Sequence, residues 1–94
     1  MRFGIGIRKA RAARGMTQAR LATLSGLDAS YVSLLESGAR APSAATLELI
    51  SSALNVPMYL IVLLGSEQDE LRGIDASQAA ALGEQLLRVM MEAE

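Results

Sequence analysis

Residues 18–37, QARLATLSGLDASYVSLLES, set two short amphipathic patterns on either side of a glycine. Leu21, Ala22 and Leu24 recur along the first pattern, and Val32 and Leu35 line the inner side of the second. Residues three and four apart share a helix face, so each pattern predicts a helix with one apolar side. Gly26 stands where the chain must reverse, and a left-handed backbone there suits glycine. Leu27 is expected to plug the core from the turn, and Asp28 to cap the next helix by accepting a backbone N–H. Ala22 falls where the two helices approach most closely, and a long side chain there would push them apart. Two helices this short, crossing steeply over so few linking residues, leave the chain little choice of fold.

The spacing is that of a helix-turn-helix, a common way to place a short helix in the major groove of DNA. An αα-hairpin in any small bundle is the alternative reading of the same residues. The flanking punctuation extends the pattern into a run of short helices. A first helix is expected over residues 5–14, with Ile7 and Ala10 inward and Gly15 as its stop. Thr17 is placed to cap the second helix, which runs to Ser25, and the third covers residues 29–37 and ends at Gly38. Ser43 can cap a fourth helix to Leu54, with Leu47, Ile50, Ala53 and Leu54 at helical spacing. Asn55 suits the left-handed position after it, and Pro57 opens a fifth helix over residues 58–64 that is apolar on nearly every side. No strand-like alternation and no internal repeat is present.

The 94 residues amount to one domain, half hydrophobic but only 3% aromatic, so Ala, Leu, Ile, Val and Met must build the core. The chain contains neither cysteine nor histidine, which removes disulfides, thiolate metal sites and the commonest general base. Neither a cofactor nor a metal is expected. The residues around 3–7 are too short a run for a secretory signal, and the longest apolar run falls far short of the roughly 20 residues that span a bilayer. A soluble, cytoplasmic protein with no membrane partner is expected. The net charge of −1 conceals a segregation. Residues 1–57 balance to +4 and residues 58–94 to −5, which suggests a basic front for phosphate and an acidic tail with another task.

Residues 3 to about 64 resemble the Cro/lambda-repressor-type helix-turn-helix family. The resemblance is carried by RGMTQARLATLSGLDASYVSLLESGARAPS and then TLELISSALNVP, and covers about two-thirds of the chain. It implies an all-α fold, a five-helix lambda-repressor-like helix-turn-helix domain over residues 1–64; residues 65–94, outside the resemblance, read by their own pattern as a linker and a C-terminal amphipathic helix. It further implies that the second helix crosses the DNA backbone while the third lies in the major groove. Gln18 matches the family's glutamine, which bonds a phosphate and braces the recognition helix. Thr17 would help present the N-terminus of that helix to an anion. Arg40, with the backbone amides of Gly38 and Ala39, would clamp a phosphate, and Arg8 and Arg14 are weaker candidates for the same task. Arg11 and Glu36 match a largely buried salt bridge that orients the third helix.

The third helix is where the chain departs from its relatives. The base-facing positions hold Ala29, Ser30, Ser33 and Leu34, with Tyr31 beside them in reach of a phosphate. Relatives often carry Arg or Gln at the places of Ala29 and Leu34, and read guanine or adenine through paired hydrogen bonds. Here Ser30 and Ser33 offer one short bond each, and Ala29 and Leu34 can touch a thymine methyl. Direct readout is expected to be thin, with specificity leaning on dimer spacing, waters or DNA shape.

Beyond the linker at residues 65–73, Asp75 and Gln78 make a capping-box pattern for a helix to about residue 93. Leu82, Leu86, Val89 and Met90 form its apolar stripe, interrupted by Gly83. With Met58 and Ile61 this stripe is expected to form a homodimer interface; packing back onto its own domain is the alternative. A homodimeric regulator binding double-stranded DNA at a palindrome is the functional reading. The alternative is an antitoxin-like protein-interaction module whose C-terminal helix docks on a protein partner. An enzyme is not expected, for want of His, Cys, a phosphate loop or paired carboxylates.

Overall fold

The computed structural model describes residues 2–66 together with Ser77, Ala80, Ala81 and Glu84. Five helices follow one another: α1 (Phe3–Ala13), α2 (Gln18–Ser25), α3 (Ala29–Ser37), α4 (Ala44–Leu54) and α5 (Met58–Leu64). The described residues contain no strand, and the fold is all-α as expected. Among them, no single helix is long and apolar enough to cross a membrane.

Most boundaries follow local chemistry. The Thr17 hydroxyl accepts the Arg20 N–H at the start of α2, and the Ser43 hydroxyl accepts that of Thr46 at the start of α4. Gly26 ends α2 at φ 75°, and Asn55 ends α4 at φ 55°, both in the left-handed region. α4 and α5 then meet at a bend of 100° across residues 55–57. Two expectations fail here. Asp28 has the extended backbone of a cap, but its side chain makes no cap hydrogen bond. Leu24 is 44% exposed: it lies on the flank of α2, outside the side formed by Leu21, Ala22 and Ser25.

The largest fully buried side chains are Ile7, Leu21, Val32, Leu35, Ile50, Leu54, Leu60 and Ile61, at least one from each helix. α1 packs against both α3 and α5, while α2 bridges α3 and α4. α1 starts two residues earlier than Ile5, although Gly4 and Gly6 are poor helix formers. Tertiary contact accounts for both glycines. A Cβ on Gly4 would overlap the Leu35 and Glu36 carbonyl oxygens, and one on Gly6 would overlap that of Ile61. The absence of side chains lets α1 lie directly on the end of α3 and on α5.

Of the expected C-terminal helix, Ser77, Ala80, Ala81 and Glu84 are helical, and Glu84 comes within 3.8 Å of the Lys9 ammonium on α1. The cap residues Asp75 and Gln78 and the stripe Leu82, Leu86, Val89 and Met90 lie outside the described residues.

Candidate nucleic-acid interface

A single carboxylate joins the three helices that build the site. Arg11 on α1 donates from Nε to Oε2 of Glu36 at 2.7 Å and from Nη2 to Oε1 at 2.9 Å. Its Nη1 donates to the Met16 carbonyl at 2.7 Å, in the turn between α1 and α2. Gln18, the first residue of α2, donates from Nε2 to the same Glu36 Oε1 at 3.1 Å. The Glu36 side chain is 3% exposed and that of Arg11 16%. A buried carboxylate is tolerable only when its lone pairs are used, and three N–H donors use them here. The hydrogen bond to Glu36 raises the Arg11 guanidinium further above its ordinary value; burial works against this and the opposite charge adds to it. Glu36 sits in the last turn of α3, so the network holds the pose of α3 relative to the start of α2.

That pose leaves one side of α3 to solvent. Ala29, Ser30, Ser33, Leu34 and Ser37 are exposed, while Val32, Leu35 and Glu36 face inward. At 100° per residue the exposed five form one continuous strip, with Ala29–Ser33–Ser37 and Ser30–Leu34 as its two rows. All four residues expected to face bases therefore share an open surface. Tyr31 is half-buried and packs on the core. Thr17 is exposed at the N-terminus of α2, where the Gln18 and Ala19 amides have no helix carbonyl to bond.

The expected phosphate contacts divide. The Arg40 guanidinium is exposed in the loop after α3, and Arg8 is exposed on α1. The backbone amides offered as Arg40's partners are taken: Gly38 N–H bonds the Leu35 carbonyl, and Ala39 N–H bonds the Ser37 hydroxyl. These bonds close the end of α3, so the clamp reduces to the Arg40 side chain. Arg14 donates from Nε to the Leu54 carbonyl at 2.9 Å, tying the end of α1 to the C-terminus of α4. That bond gives Arg14 a structural task between α1 and α4.

Two features escaped the sequence reading. Arg2 and Arg40 are 38 positions apart, yet both line a groove of about 380 Å³ between the start of α1 and the end of α3. The glycines of FGIGIR were the available signal, since glycine inside a helix marks a close approach. The second feature is apolar. Leu49 on α4 is 47% exposed and Tyr59 on α5 is 58% exposed, whereas Met58 is half-buried and Ile61 is fully buried. Ile61 belongs to its own chain's core and is unavailable to a second subunit.

Comparison with known proteins agrees with this geometry. A family profile described as helix-turn-helix matches residues 7–61. Among solved structures, the restriction-modification controller protein C.AhdI from Aeromonas hydrophila is similar, with 38% identity and a TM-score of 0.62. The match covers 64% of this chain and 91% of that one. No curated protein matches.

Proposed function

Since the chain belongs to the helix-turn-helix family of DNA-binding transcriptional regulators, we propose that it acts as a homodimer, placing α3 of each subunit in the major groove of a palindromic operator. The observation that carries this reading is the open strip of α3 residues held in place by the Arg11–Glu36–Gln18 network. A short helix presented rigidly, with the α2 N-terminus beside it and Arg40 just past its end, suits a duplex flanked by phosphates. The similarity to a controller protein supports a role in regulating transcription. Repression is the output that needs nothing beyond occupancy of a promoter.

The homodimer draws support from Leu49 and Tyr59, large apolar side chains left in water by the fold of one chain. An operator of two half-sites would then match the two-fold symmetry of the protein.

Selection from random duplexes, followed by a salt titration on the enriched site, tests the reading. Enrichment of a palindrome, with log K falling by about 0.9 per neutralised phosphate against log salt, is the expected result. No enrichment, with a shallow salt slope, would remove the DNA reading and favour the interaction module.

A further inference from the structure

The exposed strip of α3 is unusual in what it lacks. Ala29, Ser30, Ser33, Leu34 and Ser37 include no cation, no carboxylate and no amide. The Ser37 hydroxyl is already engaged, donating to the Leu34 carbonyl and accepting from the Ala39 N–H. Two serine hydroxyls and apolar surface remain. Leu34 is the single large side chain on the strip and is 41% exposed, although leucine on a folded surface gains nothing from water. Short neighbours on either side let the helix sit close to whatever it meets, so Leu34 reaches furthest.

Within a major groove, the feature that matches an apolar projection is the C5-methyl group of thymine; the exocyclic oxygens and amines and the ring N7 atoms there are hydrogen-bond acceptors or donors, and the cytosine C5–H projects too little to fill the same space. We propose that Leu34, with Ala29 at the opposite edge of the strip, reads C5-methyl groups, so that the operator half-site is chosen by methylated pyrimidines more than by hydrogen-bond pattern. This inference rests on the DNA-binding reading above and names the chemistry by which that face selects its sequence. It carries a consequence. 5-Methylcytosine presents the same methyl group in the same place, so cytosine methylation at a contacted step raises affinity and makes binding responsive to DNA methylation.

The test uses the full chain and the duplex enriched by selection. Each thymine of a half-site is replaced in turn by uracil, which removes the methyl group and leaves every hydrogen bond of the pair intact. At the step facing Leu34 we expect a loss of about fourfold in affinity, the ratio corresponding to ~0.8 kcal/mol per buried methylene-sized group. Leu34→Ala should abolish the difference between thymine and uracil at that step while leaving the others unchanged; its thermal melt confirms that the exposed substitution preserves the fold. Placing 5-methylcytosine for cytosine in a duplex carrying a cytosine at that step should restore most of the lost affinity. Enrichment of a site whose thymines can all become uracil without loss overturns the methyl reading and leaves DNA binding standing. Failure to enrich any duplex overturns both.

Discussion

At the residue scale, Glu36 shows how a charge can be confined to the interior of a small domain. Its carboxylate is almost fully buried and accepts from Arg11 twice and Gln18 once. Such a pair stabilises little against apolar residues of the same shape, but removing one partner strands a buried charge. Arg11→Ala should therefore cost about 3 kcal/mol by urea unfolding, the low end for a broken buried pair because Gln18 still donates. Arg11→Met combined with Glu36→Leu should recover most of that loss; a double variant as unstable as the single one would show that the charge itself is needed. Because the Arg11 value is raised, its contribution is complete at every pH below the ordinary arginine range and is lost only as pH rises through the raised value. Stability from this side of the pair should thus be flat from neutral to mildly alkaline pH. The other arginines separate by partner. Arg40→Ala should weaken binding to all sequences alike and reduce the salt slope by about one. Arg14→Ala should leave that slope unchanged and instead destabilise the fold by about 1 kcal/mol, since its bond is to Leu54. Equal salt slopes for the two variants would contradict this division.

At the element scale, α1 is positioned by what it omits. Gly4 and Gly6 bring its backbone onto the end of α3 and onto α5, where a single Cβ would meet carbonyl oxygens. Local preference and tertiary need oppose each other at these positions, because alanine favours a helix by about 1 kcal/mol over glycine. Gly6→Ala should nevertheless lower the midpoint of unfolding, as overpacking against backbone costs about 1–3 kcal/mol and backbone cannot step aside as a side chain can. A more stable Gly6→Ala variant would mean that α1 and α5 can separate freely. The α2–α3 pair follows its sequence more closely: Thr17 caps, Gly26 turns, and Leu21, Ala22, Val32 and Leu35 are buried. Its departures, Leu24 in water and Asp28 without a cap bond, fall at the margins of the pattern. There a flank position or an alternative rotamer suffices to change the outcome.

At the scale of the whole molecule, the distinction between core and partner surface changes with the fold. Met58 and Ile61 were equivalent members of an apolar run, yet Ile61 is fully buried within its own chain. Leu49 and Tyr59 are instead the exposed apolar pair on α4 and α5. The proposed homodimer therefore predicts opposite phenotypes. Tyr59→Asp or Leu49→Asp should give a folded monomer by light scattering at micromolar concentration, with weaker binding to a two-half-site operator. Ile61→Ala should unfold at lower denaturant by about 2–5 kcal/mol, whatever the oligomeric state. A wild-type protein that is monomeric at all accessible concentrations would end the dimer proposal. The acidic half of the chain enters this scale through Glu84, which approaches Lys9 on α1. An exposed pair of that kind adds little energy.

The sequence by itself determined the number and order of the helices over residues 3–64, the turn at Gly26, and the caps at Thr17 and Ser43. Each depends on residues within about four positions of one another, where backbone hydrogen bonding and side-chain caps act. Only the tertiary structure decided that Arg14 serves Leu54, that Arg2 joins Arg40 along one groove, and that Ile61 is hidden while Tyr59 is not. These outcomes rest on groups brought together from distant parts of the chain. A helix that is apolar all round carries no local mark of which side its neighbours will cover, and a basic residue carries none of which carbonyl or phosphate it will meet.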